Sequence, residues 1–244
     1  MEVHAHTHSP GKKWTHYLWE FLMLFLAVFC GFLAENQREQ IVEHKREKQY
    51  IISLVEDLKS DTVSLPLWIN LIKQLNRSED SLMVALKSSN AIKEPGSVYK
   101  YILNINTYGG FKPNDRTISQ LKSSGGMRLI RKQSVSDEII SYFRLFDNLI
   151  SLDETRQHEF NEVVKERDEI IDINAIKDDW LFDRSILSIS EKKLLIQDRN
   201  KLAILFNKVS DKKGTELAQI KFLEEGLSFA KRLILIIKKE YHLK

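Results

Sequence analysis

The sequence predicts an all-α chain: an N-terminal transmembrane helix continuing into a stalk and an antiparallel helical bundle. Three observations carry that prediction. Glycine and proline are scarce, 9 and 4 in 244 residues, which excludes collagen-like chains and Pro/Gly-rich disorder and leans towards helix. Residues 21–34, FLMLFLAVFCGFLA, hold no charge at all. Over most of the remaining chain, apolar side chains recur at alternating four- and three-residue intervals, the period of a helix with one buried face.

The charge-free run from Phe21 to Ala34 makes a helix of about 21 Å, short of the ~30 Å hydrocarbon core of a bilayer. Extended back to Trp14 it reaches about 31 Å, which is enough. Trp14, Tyr17 and Trp19 then fall at one end, where amphipathic rings favour the headgroup layer. A cleaved signal peptide needs small residues first and third before the cut. Ending at Ala34 puts Phe32 third, and ending at Gly31 puts Phe29 third. Cys30 follows Phe29, which does not suit a lipoprotein signal. Residues 14–34 therefore read as a retained anchor.

Before the anchor, residues 1–13 form a tail in which His4, His6 and His8 alternate. Three imidazoles on one side of an extended segment offer a weak site for Zn²⁺ or Cu²⁺. The plainer reading is a flexible tail that gains positive charge at low pH. Glu20 lies inside the span, about 9 Å from Trp14 along the axis. Such a residue either snorkels to the interface beside Tyr17 and Trp19 or serves as a protonatable site facing a partner helix in an ion-coupled complex.

Residues 35–48 are polar all round, with Glu35 and Arg38 three apart, and read as a solvated helical stalk of about 20 Å. Residues 49–244 read as the bundle, with a short-helix insertion around 97–133. Its first seam is Ile51, Val55, Leu58, Thr62 and Leu65; Pro66 is expected to break the helix or open a new one. A second seam is Trp68, Leu71/Ile72, Leu75, Leu82 and Leu86, ending near the Pro95-Gly96 turn. Asp115 is placed to cap a short helix carrying Ile118 and Leu121, with Gly125-Gly126 stopping it. Ser134 and Asp137 suggest a capping box opening the longest helix. Its seam is Ile139, Phe143, Phe146, Ile150, Asp153, Gln157, Phe160, Val164, Arg167 and Ile171, and the polar positions imply wet or incomplete packing. Asn174 to Ser190 reads as a loop anchored by Trp180 and Phe182. A further helix starts near Ser190 with Leu195, Leu202, Phe206 and Val209 inward. Lys212-Lys213-Gly214 interrupts it before a last helix from about Thr215 to Tyr241. About four long helices result.

Chemistry is sparsely represented. Lys and Arg number 37 against 34 Asp and Glu, a net charge of +3, too small a field to expect nucleic acid as a partner. One cysteine excludes a disulfide framework. Ile41, Thr155 and Lys239 stand three residues before His44, His158 and His242, so the Glu-x-x-His pattern of di-iron bundles is missing. No zincin motif or phosphate-binding glycine loop is present. No enzyme activity and no cofactor are expected. The segment with Phe111, Pro113, Thr117, Gly125 and Arg128 reads either as a loop presented to a ligand or partner or as a plain connection between helices.

Glu20, then Gly31-Phe-Leu-Ala-Glu-Asn-Gln-Arg-Glu39 and Glu47-Lys-Gln-Tyr-Ile-Ile-Ser-Leu-Val-Glu-Asp-Leu-Lys59, resemble a family of small bacterial single-pass membrane proteins of unknown function. The likeness extends to Phe111-x-Pro113, Thr117, Leu121-x-Ser-Ser-Gly125, Leu129-Ile130, Ile139, Ile140 and Tyr142. It covers roughly residues 14–60 and 108–145. The histidine tail and the Phe-rich span depart from the usual members. The resemblance implies an inner-membrane anchor with the helical domain outside the cytoplasm, and no activity. The lysine and arginine counts flanking the span pull the other way. Arg38, Lys45, Arg46 and Lys48 outnumber Lys12 and Lys13, although interleaved glutamates offset them.

The expected function is that of an anchored interaction or scaffold protein of the bacterial envelope. Its partners are the lipid bilayer and either itself or another envelope protein. The alternatives are an extracytoplasmic small-ligand module lined by Asp153, Gln157 and Arg167, and an accessory subunit of an ion-coupled complex using Glu20.

Overall fold

The computed structural model describes residues 14–105, 109–172 and 193–243. Among them every regular element is helical: α1 (Trp14–Lys87), α2 (Gly96–Ile102), α3 (Arg116–Ser123), a 3-10 turn (Gly126–Leu129), α4 (Gln133–Ile170) and α5 (Arg199–Glu240). The tail with His4, His6 and His8, and the loop expected around Trp180 and Phe182, lie outside the described residues.

Two compact units divide the chain, residues 1–50 and 51–244. In the first, α1 is continuous from Trp14 and leaves its apolar side chains uncovered. This is one helix long and apolar enough to cross a membrane, and none of its most apolar stretch is buried.

In the second unit, α1 from Ile51 onward packs with α4 and α5. Lys73 meets Glu224, Glu79 meets Lys212, and the Ser88 carbonyl meets Arg199, so α5 descends as α1 rises. Lys132 meets Glu240, Asp153 meets Gln219, and Glu162 meets Lys208, so α5 is antiparallel to α4 as well. Hence α1 and α4 run parallel. The crossover joining them must return along the bundle, with α2 near the end of α1 and α3 near Asp57 and Asp61.

Three long helices stand among the described residues where about four were expected, because two expected breaks do not occur. Pro66 lies inside α1. Its missing N–H and ring clash cost about 3 kcal/mol. Leu65 and Ile69 on either side are buried, and each such side chain contributes roughly 1.5–3 kcal/mol. Gly214 lies inside α5, at a cost of about 1 kcal/mol, and buried Lys212 and Glu216 flank it. The longest helix is therefore α1, with 74 residues, rather than α4.

Helix starts also differ from expectation. Ser134 and Asp137 form no capping box: α4 begins at Gln133 without a side-chain cap, and Gln133 Nε2 donates to Asp137 Oδ1 at 2.8 Å. The start of α5 is Arg199 rather than a residue near Ser190, because Asp198 Oδ1 accepts from the Asn200 N–H at 2.8 Å. Leu195, expected inward, is exposed.

The α4 seam is half right. Ile139 and Phe146 are buried, but the alternate positions are Tyr142, Leu149, Arg156, Val163 and Ile170. Of the other expected positions, Phe143 and Ile171 are buried as well, whereas Ile150 and Gln157 are exposed and Val164 is half-buried, their places taken by Leu149, Arg156 and Val163 one residue earlier. On α5 the buried positions include 202, 205, 209, 212, 216, 219, 223, 226, 230, 233 and 237, an unbroken three-four alternation that passes straight through polar residues.

Two glycines on α5 separate the account of packing from that of propensity. A Cβ at Gly214 would meet nothing within 4 Å, whereas one at Gly226 would lie 2.5 Å from Phe146 Cζ. Gly214→Ala is expected to stabilise the chain by about 0.5–1 kcal/mol. Gly226→Ala should cost about 1–3 kcal/mol by overpacking. Urea unfolding of the full chain in detergent measures both, and equal effects at the two sites would contradict the close approach of α4 and α5.

Candidate functional site

The seams of α1, α4 and α5 turn polar at the same level. From α1 come Asn76 and Glu79, from α4 Asp153, Arg156 and Glu159, and from α5 Lys212, Thr215, Glu216 and Gln219. Lys212 is wholly buried, as is Glu216, and Glu79 is 1% exposed. Lys212 Nζ donates to Glu79 Oε1 and to Glu216 Oε1, each at 2.5 Å. Asn76 Nδ2 donates to Glu216 Oε2 at 2.8 Å and to the Ile72 carbonyl at 3.2 Å. Glu79 Oε2 and Asn76 Oδ1 are buried and accept no hydrogen bond among the described residues.

The side of the layer towards α4 is held separately. Gln219 Nε2 donates to Asp153 Oδ1 at 2.6 Å, Arg156 Nη2 lies 3.5 Å from the same oxygen, and Thr215 Oγ1 donates to Glu159 Oε1 at 3.0 Å. Gly110 of the crossover packs directly on the Asp153 carboxylate, so no side chain fits there. An open depression of 420 Å³ lined by His158, Glu162, Lys208 and Gly214 also reaches Glu159 and Thr215. Apolar packing closes the layer on both sides, with Leu82, Val163, Leu205 and Val209 on one and Leu65, Phe146 and Leu223 on the other.

Electrostatics in this layer are unbalanced. Two carboxylates in a dry interior share one ammonium, and burial together with the neighbouring Glu216 pushes the Glu79 carboxyl up to about 7, against the lowering effect of Lys212. Among the described residues no three His, Cys, Asp or Glu side chains gather as a metal site.

A second polar cluster clasps the crossover to α1. Asp57 Oδ2 accepts from the Thr117 N–H at 2.9 Å, and Asp61 Oδ1 accepts from the Asn114 N–H at 2.8 Å. Tyr142 of α4 donates its hydroxyl to Asp61 Oδ2 at 2.7 Å, and Arg116 Nη2 lies 2.7 Å from Asp57 Oδ1. The first turn of α3 is thus capped from another helix. Asp115, expected to cap it, makes no such bond and instead accepts from Ser119 Oγ at 3.1 Å. Burial raises the Asp61 carboxyl above its ordinary range, opposed by the donors Tyr142 and Asn114.

The sequence-derived residues are placed as follows. Trp14, Tyr17, Trp19, Glu20, Phe21 and Ala34 are all exposed on α1. His16 Nε2 lies 2.9 Å from Glu20 Oε1 one turn away. Phe111 is buried with its ring 5.3 Å from that of Phe146, and Thr117 is buried in the clasp. Pro113 is half-buried, Gly125 occupies left-handed backbone at φ 65°, and Arg128 is exposed. The trio Asp153, Gln157 and Arg167 does not come together. Asp153 joins the layer, Gln157 is exposed near Asn161, and Arg167 pairs with Asp168.

Sequence reasoning missed Asn76, Glu79, Arg156, Lys212, Glu216 and the Asp57–Asp61 pair. Counting the three-four repeat on through polar positions of α5 finds Lys212 and Glu216. No comparable signal marks Asp57, which lies off the apolar seam.

Asp57→Ala is expected to cost about 1–2 kcal/mol, the loss of a helix cap, and to raise amide exchange across residues 116–123. Exchange there matching the unsubstituted chain would show that Asp57 does not hold α3. Comparison with family models, curated proteins and solved structures returned no match, so the family likeness rests on the quoted residues alone.

Proposed function

We propose that the chain is a membrane-anchored helical interaction protein of the bacterial envelope. Residues 14–34 hold it in the lipid bilayer, and it associates with itself or with another envelope protein. The observation that carries this reading is the uncovered apolar surface at the start of α1. Phe21, Met23, Leu24, Val28 and Phe32 are all exposed, and each large apolar side chain left in water forgoes roughly 1.5–3 kcal/mol. Lipid tails remove that cost along the whole segment, and Trp14, Tyr17 and Trp19 fall where a headgroup layer would receive them. The His16–Glu20 pair gives the carboxylate a polar neighbour one turn nearer that layer, which favours snorkelling.

Association is supported by the bundle's outer surface. On α1, Val63, Leu67 and Leu71 form an exposed row at four-residue spacing, and Leu235 on α5 is also exposed. The family resemblance supports placing the bundle on the extracytoplasmic side of the inner membrane. No catalytic role is proposed.

The test is retention in membranes. The chain should stay in the pellet after a carbonate wash, and Leu24→Arg with Val28→Arg should release it, each arginine costing about 2.5–3.5 kcal/mol in a span. Cross-linking in intact membranes should recover a dimer or one defined partner. Wild-type chain in the wash, or a strictly monomeric chain with no partner, would contradict the two halves of the proposal respectively.

A further inference from the structure

We propose that the polar layer is a proton-operated latch: Glu79 holds a proton beside Lys212 and Glu216, and its release loosens the bundle at its middle. The geometry requires a missing positive charge or a proton. Lys212 divides its donors between Glu79 Oε1 and Glu216 Oε1. Asn76 supplies one more donor, and it goes to Glu216. Among the described residues Glu79 Oε2 is buried with no donor, and an ionised oxygen out of water without one is costly. A proton on Glu79 removes that cost.

The other facing groups do not supply the balance. From α4 come Arg156, Asp153 and Glu159; from α5, Lys212 and Glu216; from α1 itself, Asp80, which pairs with Lys213 at the surface. Within the layer, two cations therefore face four carboxyl groups. The depression of 420 Å³ that reaches Glu159 and Thr215 brings water to the edge of the layer.

Burial and Glu216 place the Glu79 carboxyl at about 7, against 4.5 in a free chain. The stabilisation from the neutral form is complete below about pH 4.5 and is lost as pH rises through about 7, because only the folded state keeps the proton in that interval. Asp61 is also raised and has the same sign, so Glu79→Gln is needed to isolate Glu79.

Hydrogen exchange of the full chain in detergent, corrected for intrinsic rates, reads the latch. Amides across residues 76–86 and 209–219 should lose protection up to about tenfold per pH unit between about pH 5 and 7 and then level off. In Glu79→Gln the slope should shrink to the part contributed by Asp61. An infrared titration of the wild-type chain provides a readout that does not depend on the variant folding. It should show a neutral carboxylic-acid band near pH 6 that disappears by about pH 8.5. The same pH slope in Glu79→Gln as in wild type, or no neutral-acid band at pH 6, overturns the proposal.

Discussion

Lys212 is the constraint on which the bundle's arrangement depends. An ammonium wholly removed from water costs several kcal/mol unless its charge and donors are met. Here Glu79 on α1 and Glu216 on α5 meet it at 2.5 Å. The apolar seams on either side are permissive. Leucine, isoleucine and valine at a seven-residue repeat pack nearly as well after α5 slides one heptad along its neighbours. The polar layer is not permissive. Such a slide brings Leu205 or Gln219 opposite Glu79 and strands Lys212 among aliphatic side chains. One layer thus selects one register out of several that the apolar residues accept.

Polar contacts outside that layer explain why a parallel α1–α4 pair is tolerated. Two parallel helices need a long return connection, and residues 88–132 supply it. That connection is pinned at both ends. Arg199 holds the Ser88 and Ser89 carbonyls just after α1 ends, and Asp57 and Asp61 hold the backbone before and within α3. Tyr142 adds α4 to the same clasp. Several residues that carry the family resemblance therefore make contacts inside the bundle: the Thr117 N–H donates to Asp57, and the rings of Phe111 and Tyr142 both lie against Phe146. They do so as internal fastenings. Of the loop residues singled out from sequence, Gly125 and Arg128 are left on the surface.

Much of this architecture was legible in the sequence, for identifiable reasons. Helical period and scarce glycine give the all-α class. The charge-free run gives the one helix among the described residues that is long and apolar enough to cross a membrane. What was misread was mostly local propensity yielding to packing. Pro66 and Gly214 are strong punctuation in isolation, yet buried neighbours on both sides carry the helix through them. The middle of the α4 seam is out of phase with expectation because Ile150 is more hydrophobic than Arg156, whereas the fold buries Leu149 and Arg156 and leaves Ile150 exposed. The polar layer escaped notice because charged residues at seam positions look like a solvated face when each helix is read alone. Asp153 alone hinted at it. Only the meeting of three helices turns Glu79, Lys212 and Glu216 into one cluster.

The most direct test of this account is the unfolding free energy of Lys212→Met in the full chain. Removing the ammonium leaves Glu79 and Glu216 buried without their shared cation, and the expected loss is about 3–5 kcal/mol. Neutralising both carboxyls as well, in Lys212→Met/Glu79→Gln/Glu216→Gln, should recover most of it. A Lys212→Met chain as stable as the unsubstituted one would mean that the helices find their register without the ion cluster, and the account would be wrong.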